Sequence, residues 1–187
     1  GSQWDRLLET AATSPPEVEI DPFPAAGLAY TSGTTGFPKG VVHSHHNLLL
    51  PGAVQSRMVS DYHESTRRGD CFPLTILNMQ VLTTLLVAQA GATCVFMDRI
   101  DARGVADWIE RERVTLFTAP PALIYSLAQD DSIAPDALQT LDRVLFGGGA
   151  CPEPIITAFE AKFDIPVRGP YGLTEAPTAV AIEAAEK

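Results

Sequence analysis

The stretch YTSGTTGFPKG, residues 30–40, has the composition of a loop that binds phosphate. It holds three glycines, three threonines, a serine and a lysine in eleven positions. Glycines let main-chain N–H groups approach an anion closely, hydroxyls donate further hydrogen bonds, and the lysine adds a positive charge. A flexible surface turn is the alternative, but a run of Ser, Thr and Gly followed by Pro-Lys-Gly favours a phosphate site.

The spacing of this loop is not that of a P-loop NTPase, which needs G-x-x-x-x-G-K-[ST] after a strand. Gly33 and Gly36 are two residues too close together, and Lys39 stands three residues after Gly36, behind Pro38. A kinase or an ordinary P-loop NTPase is therefore the least favoured interpretation.

Four segments in order along the chain resemble adenylate-forming enzymes, the superfamily that includes acyl-CoA synthetases, peptide adenylation domains and luciferases. YTSGTTGFPKGVV matches the signature of that superfamily nearly letter for letter. The segment SHHNLL is similar to its Thr-His-x-Asn-Leu segment, with Ser44 in place of Thr. FGGGACPEP resembles its glycine loop, and YGLTEA, residues 171–176, resembles its second hallmark motif.

The resemblance implies an ATP-dependent acid–thiol ligase. A carboxylate attacks the α-phosphate of ATP, which gives an acyl-adenylate and pyrophosphate, and a thiol of coenzyme A or of a carrier's pantetheine then takes the acyl group. Donors and Mg²⁺ must be placed in advance, because negative charge spreads over the phosphate oxygens in the transition state.

By the same resemblance, individual residues receive roles. Glu175 would bind Mg²⁺, and Thr174 would bond the α-phosphate; these two are the candidate catalytic residues. Tyr171 would stack on adenine, with Gly172 beside it in the nucleotide site. Residues that would hold the β- and γ-phosphates are Thr31, Ser32, Gly33, Thr34, Thr35 and Lys39. Residues that would border the adenine and acyl groups are Gly148, Gly149 and Ala150.

The sequence departs from the superfamily in the segment FPLTILNMQ, residues 72–80. Many acyl-CoA synthetases carry an aromatic-His pair here as a gate to the acyl pocket, whereas this chain has Thr75 and Ile76. No Asp stands between Phe72 and Leu86 to pair with the ammonium group of an amino-acid substrate, so an α-amino acid is disfavoured as the substrate. An aliphatic or alicyclic acid is favoured. Asn78 and Gln80 are expected to bond near a helix start, and Ile76 fits core packing as well as it fits a pocket lining.

The elements that position these motifs alternate between strand and helix, which predicts an α/β fold with a largely parallel sheet of βαβ units flanked by helices. We expect strands at 27–30, 72–76, 92–97, 114–118, 143–146 and 165–168. Helices are expected at 4–12, from about Asn47 to Val59 with Ser44 as the cap, and at 79–90, 102–113, 121–128 and 152–163. The three glycine-bearing loops each follow a predicted strand, where ligands bind in such folds.

The predicted organisation is an N-terminal helix and linker over 1–24 and a partial adenylate-forming domain over 25–187. Adenylate-forming enzymes carry a later Asp for the ribose and a later catalytic Lys, and Lys187 lies in a solvated tail. We therefore expect the chain to be the middle of a larger N-terminal domain and to be inactive alone. Two alternatives stay open: an adenylation domain that loads a carrier protein, and a non-catalytic nucleotide-binding or interaction module.

Composition limits the remaining possibilities. A net charge of −10 argues against nucleic-acid binding, and no apolar run reaches membrane-spanning length. Three widely separated cysteines predict neither disulfides nor zinc, so the cytoplasm is the expected compartment and Cys151 is not expected to be a nucleophile. His43, His45 and His46 are expected to face solvent or cap a helix. Apolar faces left exposed would favour a homodimer.

Overall fold

The structure is a computed structural model that describes residues 1–33, 36–58 and 62–181. Thr34, Thr35, Val59 and Lys187 lie outside these ranges. The helices are α1 (Gln3–Thr10), α2 (His45–Met58), a π-helix (Met79–Leu85) that continues into α3 (Leu86–Gln89), α4 (Ala102–Glu112), α5 (Pro121–Gln129) and α6 (Glu153–Phe163). The strands are β1 (Ala25–Thr31), β2 (Lys39–Ser44), β3 (Arg67–Asp70), β4 (Thr93–Phe96), β5 (Leu116–Ala119), β6 (Arg143–Phe146), β7 (Val167–Arg168), β8 (Tyr171–Leu173) and β9 (Ala176–Ala181).

A five-stranded parallel sheet in the order β4-β3-β5-β6-β7 forms the centre of the fold, which confirms the predicted fold class. The main apolar core includes Ile109, Phe117, Ile124, Val144 and Phe159, from α4, β5, α5, β6 and α6. A second cluster, which includes Val81, Leu86 and Leu116, packs the π-helix and α3 against β5. Parallel strands are buried on both faces, and all four residues of β5 are buried, with Thr118 as the polar exception among apolar residues.

Most helices begin and end where their capping residues predict. Asp101 accepts a hydrogen bond from the Gly104 N–H at the start of α4, and the Ser44 hydroxyl accepts one from the Asn47 N–H at the start of α2. Gly91 follows α3 with φ of +66°, the left-handed conformation that glycine supplies at a helix end. Pro51 lies inside α2.

The predicted strand at 72–76 is wrong. The chain turns there because the Phe72 N–H donates to Asp70 Oδ1 and the Ile76 N–H donates to the Pro73 carbonyl. The true strand, β3, is the preceding charged segment Arg67–Asp70. Two antiparallel pairs, β1–β2 and β8–β9, and the π-helical geometry of 79–85 were not predicted either.

The segment before β1 lies on the outside of the molecule. None of the residues of α1 is buried, and Trp4, Leu7 and Leu8 of this helix are exposed. The segment is attached to α2 by a hydrogen bond from the His46 N–H to the Pro22 carbonyl and by stacking of Phe23 on the His46 ring. Over the described ranges, no helix has both the length and the apolarity needed to cross a membrane.

Candidate active site

The predicted phosphate-binding motif includes the ends of two paired strands. Thr31 ends β1 and Lys39 begins β2, and the two residues are paired directly across the antiparallel ladder. Directly opposed residues project to the same face of a sheet. Lys39 and Ser32 are exposed, and within the described chain Lys39 has no ion pair. The hairpin thus presents a hydroxyl and an unpaired ammonium together, as recognition of a polyphosphate requires.

Gly33 is required by the geometry of this loop. Its φ is +66°, and a side-chain Cβ at this position would lie 2.2 Å from the Phe37 carbonyl oxygen. Any other residue would open the turn that brings Thr31 and Lys39 together.

The second hallmark motif forms β8 and the turn into β9. Thr174 and Glu175 occupy that turn, and the Glu175 side chain is exposed. The Tyr171 side chain is 65% exposed, so its ring is open to a flat partner. Gly172 has a packing reason of its own, because a Cβ there would lie 1.9 Å from the Thr178 carbonyl oxygen of β9.

A buried histidine joins the two motifs. His43 Nε2 donates a hydrogen bond of 2.8 Å to the Thr174 carbonyl oxygen, since a carbonyl can only accept. The side chain is 1% exposed, and among the described residues Nδ1 has no hydrogen-bond partner. The expectation that His43 faces solvent or caps a helix is therefore wrong, whereas His45 and His46 are exposed.

The glycine loop lies at the carboxyl end of β6, as the rule for open parallel sheets predicts. Gly148, Gly149 and Ala150 are exposed, and no atom lies within 4 Å of the position where a Cβ on Gly149 would stand. The Phe72 ring lies beside the loop, within 3.9 Å of the Cβ positions of Gly147 and Gly148. The segment after β3 therefore borders the glycine loop.

In the segment 72–80, some side chains make hydrogen bonds within the chain and others are exposed or line a cavity. Gln80 Nε2 donates to the Leu74 carbonyl oxygen at 3.1 Å, which confirms its expected role near a helix start. Ile76 is 41% exposed, so it belongs to neither apolar core. Asn78 lines a small cavity beneath the glycine loop.

A buried charged network lies under the site, and sequence reasoning missed it. Arg68 and Asp70 of β3 are each 1% exposed, with Arg68 Nη2 3.9 Å from Asp70 Oδ2. Arg68 also donates to the hydroxyls of Thr83 and Thr118, at 3.1 and 2.8 Å, and to that of Tyr62. Burial raises the pKa of Asp70, and the Arg68 charge opposes that rise. The network ties the π-helix to β3 and β5.

Cysteine chemistry does not belong to this site. Cys151 follows the glycine loop, and burial first and the Glu153 charge second raise the pKa of its thiol. A raised pKa keeps the thiol protonated and makes it a poor nucleophile.

The residues present fit a magnesium nucleotide. Mg²⁺ usually binds through one or two carboxylates together with substrate phosphates and waters. Glu175 supplies one exposed carboxylate, and no cluster of three metal-binding side chains occurs in the described ranges. Glu175, the glycine-rich hairpin and the open Tyr171 ring therefore fit the metal, the phosphates and the adenine of Mg-ATP.

Comparison with known proteins shows to which family this chain belongs. The model of the family of AMP-binding enzymes matches residues 2–187. The chain belongs to this family and is part of the large N-terminal domain of an adenylate-forming enzyme.

Individual relatives are CoA ligases. The chain is 32% identical over 184 residues to 4-coumarate--CoA ligase 1 of Oryza sativa subsp. japonica, and the match covers 92% of this chain and 32% of that protein. It is 34% identical over 169 residues to the long-chain-fatty-acid--CoA ligase FadD13 of Mycobacterium tuberculosis, covering 90% of this chain and 33% of that protein. The chain therefore spans about a third of the length of the curated relatives it matches.

Solved structures agree on the fold. The inhibitor-bound N-terminal domain of FACL13 from Mycobacterium tuberculosis superposes with a TM-score of 0.80 at 31% identity, covering 92% of this chain and 43% of that one. The anthranilate CoA ligase AuaEII, in complex with anthranoyl-AMP, superposes with a TM-score of 0.85 at 21% identity, covering 95% of this chain and 34% of that one. The second likeness concerns the fold alone.

Proposed function

We propose that the whole protein containing this chain is an ATP-dependent acyl-CoA synthetase. A carboxylate oxygen of the acid attacks the α-phosphorus of ATP, the bond to the bridging oxygen breaks, and pyrophosphate leaves. The sulfur of a thiol then attacks the acyl carbon, AMP leaves, and the thiol proton passes to solvent. The observation that carries this proposal is the bond between His43 and Thr174, which holds the phosphate hairpin against the Tyr171–Glu175 segment.

The residues divide the nucleotide among them in this proposal. The main chain and hydroxyls of residues 31–35, together with Lys39, hold the β- and γ-phosphates, and Thr174 bonds the α-phosphate. Tyr171 stacks on adenine, while Gly148, Gly149 and Ala150 leave room for the ring and the acyl group. When bound at Glu175, Mg²⁺ would neutralise phosphate charge. Thr31 and Lys39 lie on paired strands, so these two donors need little reorganisation in the transition state.

The acid in this proposal is aliphatic or alicyclic, and the thiol is that of coenzyme A. The absence of an Asp between Phe72 and Leu86 supports an acid without an ammonium group, and the CoA ligases among the relatives support the acceptor. A carrier-protein pantetheine is the second candidate acceptor. It is considered because the chain also resembles in fold the McyG A-PCP protein complexed with phenylalanyl-adenylate. The cytoplasm is the proposed compartment, and a homodimer stays a prediction that light scattering can test.

Product analysis tests this function. The whole protein is incubated with ATP, Mg²⁺ and a panel of acids, with either coenzyme A or a pantetheinylated carrier. We expect acid-dependent AMP and an acyl-CoA thioester, reduced about a hundredfold in Glu175→Gln and in Thr174→Val. Thr174 donates to the developing phosphate charge, and Glu175 would hold the Mg²⁺ that neutralises this charge. Formation of ADP, or AMP release that does not depend on an acid, would contradict the proposal. Thioester on the carrier alone would favour the second candidate.

The chain of 187 residues is proposed not to complete this reaction alone. The relatives are about three times longer. Acid-dependent exchange of pyrophosphate into ATP by the isolated chain would contradict this.

A further inference from the structure

A small cavity of about 20 Å³ lies directly beneath the glycine loop. Gly147 and Pro170, at the ends of the segments that lead to the glycine loop and to Tyr171, form its upper wall. Arg68, Thr118 and Gln55 contribute polar groups, and Asn78 stands at its side. The cavity has room for one or two non-hydrogen atoms, such as a water molecule or the oxygen-bearing end of a ligand.

A buried donor in the wall of this cavity lacks an acceptor among the described residues. The Gln55 side chain is buried, with the residue 6% exposed, and no described group accepts a hydrogen bond from its Nε2. A guanidinium has five N–H donors, whereas Arg68 meets only the hydroxyls of Tyr62, Thr83 and Thr118 at hydrogen-bond distance within the described ranges. A buried donor without an acceptor costs about 1–3 kcal/mol. The cavity is therefore short of an acceptor oxygen.

The charge of the cavity wall decides which kind of oxygen fits. Arg68 already has a counter-ion in Asp70, 3.9 Å away and equally buried. A second carboxylate would leave one buried negative charge unbalanced, which is strongly unfavourable. A neutral carbonyl or hydroxyl oxygen accepts from Gln55 or Arg68 without that penalty.

We propose that this cavity binds a neutral oxygen on the body of the acid substrate, so that the preferred substrate is a keto or hydroxy acid. The proposal rests on the proposed function, because it places the acyl group between the glycine loop and Tyr171. Gly147 and Pro170 line the cavity and directly precede Gly148 and Tyr171, so the cavity adjoins the position proposed for the acyl group. Sites built to bond a substrate oxygen discriminate against analogues that lack it.

The test compares matched acids with the whole protein. Straight-chain acids are assayed beside analogues of equal length that carry a keto or hydroxyl group along the chain, and beside the corresponding dicarboxylic acids. The measurement is kcat/KM for acid-dependent exchange of pyrophosphate into ATP. We expect the best keto or hydroxy acid to exceed its plain counterpart at least about tenfold, equivalent to one hydrogen bond of about 1.4 kcal/mol.

Gln55→Leu tests the cavity itself. It removes an unpaired buried amide and leaves the Arg68–Asp70 pair intact, so it does not carry the folding penalty expected of an Arg68 variant. We expect it to lower about tenfold the ratio of kcat/KM for the keto or hydroxy acid to kcat/KM for the plain acid. The matched control is Gln89→Leu, the same substitution at an exposed α3 residue outside the cavity, which should keep the ratio of the unsubstituted protein.

The outcomes separate this inference from the proposed function. Exchange with plain acids and no preference for an added oxygen would overturn the inference alone, and the cavity would then hold a water. Preference for the dicarboxylic acids would also overturn it. No exchange with any acid would overturn the proposed function and this inference with it.

Discussion

His43 Nε2 lies 2.8 Å from the Thr174 carbonyl oxygen, so one buried hydrogen bond connects β2 to the turn between β8 and β9. These two elements carry the phosphate loop and the Tyr171–Glu175 motif, which are more than a hundred residues apart in the sequence. The relative position of the proposed triphosphate donors and of Tyr171, the proposed adenine platform, therefore depends on a side chain that itself need not touch the nucleotide.

Replacing His43 should weaken nucleotide binding indirectly. His43→Leu removes the donor and leaves the Thr174 carbonyl without it, at a cost of about 1–3 kcal/mol in unfolding free energy. We expect a matching drop in denaturation midpoint and a several-fold weaker affinity of the whole protein for ATP. His45→Leu, at the exposed first residue of α2, is the control. An unchanged ATP affinity in His43→Leu would contradict the coupling.

Two adjacent arginines of β3 should differ sharply in their contribution to stability. Arg68→Met leaves Asp70 as an unpaired buried charge, which typically costs about 3–5 kcal/mol in unfolding free energy. Arg67 pairs with Glu112 at 3.3 Å, but both side chains are about a third exposed, so Arg67→Met should cost less than about 1 kcal/mol. Urea denaturation of the two variants measures the difference.

The double variant Arg68→Met/Asp70→Leu gives the decisive control for this pair. Replacing both charges by apolar groups removes the uncompensated carboxylate, so much of the lost stability should return. A double variant as unstable as Arg68→Met alone would show that packing, rather than the buried charge, causes the loss.

Substitutions of Tyr171 and of Lys39 should differ in which ligands they bind more weakly. Tyr171→Ala removes a stacking platform and should weaken ATP binding about tenfold, with no effect on inorganic triphosphate. Lys39→Ala removes a charge from the phosphate hairpin and should weaken both ligands. Competition titrations with the whole protein measure both affinities.

A conservative substitution of Tyr171 and a substitution far from the site are the controls for that comparison. Tyr171→Phe keeps the ring and should bind ATP as the unsubstituted protein does, while Arg6→Ala on exposed α1 should affect neither ligand. Equal loss of ATP and triphosphate affinity in Tyr171→Ala would contradict adenine stacking.

The thiols of Cys71 and Cys94 should titrate in an unusually alkaline range. Burial raises the pKa of each from 9.0 to about 11, with the Asp70 charge adding to the effect at Cys71. Alkylation requires the thiolate, so native alkylation rates should rise with pH toward about 11, whereas rates in urea should level off near 9. Mass spectrometry of the two cysteine peptides across this pH range measures both profiles.

The same pKa shifts fix the sign of a stability change. Between pH 9 and about 11 the folded chain keeps protons that the unfolded chain loses. These thiols therefore favour folding fully below pH 9, and stability falls as the pH rises through that window. A native alkylation midpoint equal to the one in urea would contradict the shift.

The sequence predicted most of the parallel sheet, because β4, β5 and β6 are largely apolar and each is followed by a helix-starting residue: Asp101, Pro121 and Pro152. It failed at β3, because the charged residues Arg68 and Asp70 do not suggest a buried strand. Charged residues indicate exposure unless partners from distant segments surround them, and Thr83 and Thr118 cannot be assigned as partners from spacing alone.

The candidate site shows the same division between local and tertiary information. The motif residues could be named from the sequence, because their types and spacing are local. His43 could not be named, because strand β2 was not predicted. In β2 the half-buried Val41 and the buried His43 alternate with exposed residues, and this alternation places His43 on the inner face. Gln55 lies in α2 without a distinguishing pattern, and only the tertiary packing of α2 brings it to the cavity.

Acid-dependent exchange of labelled pyrophosphate into ATP, catalysed by the whole protein, tests adenylate formation most directly. The reverse of acyl-adenylate formation is the only step that returns pyrophosphate to ATP in the proposed reaction. We predict exchange that requires both Mg²⁺ and a carboxylic acid and that is lost in Glu175→Gln. ATP turnover to ADP and phosphate without exchange, whether or not an acid is present, would contradict the account.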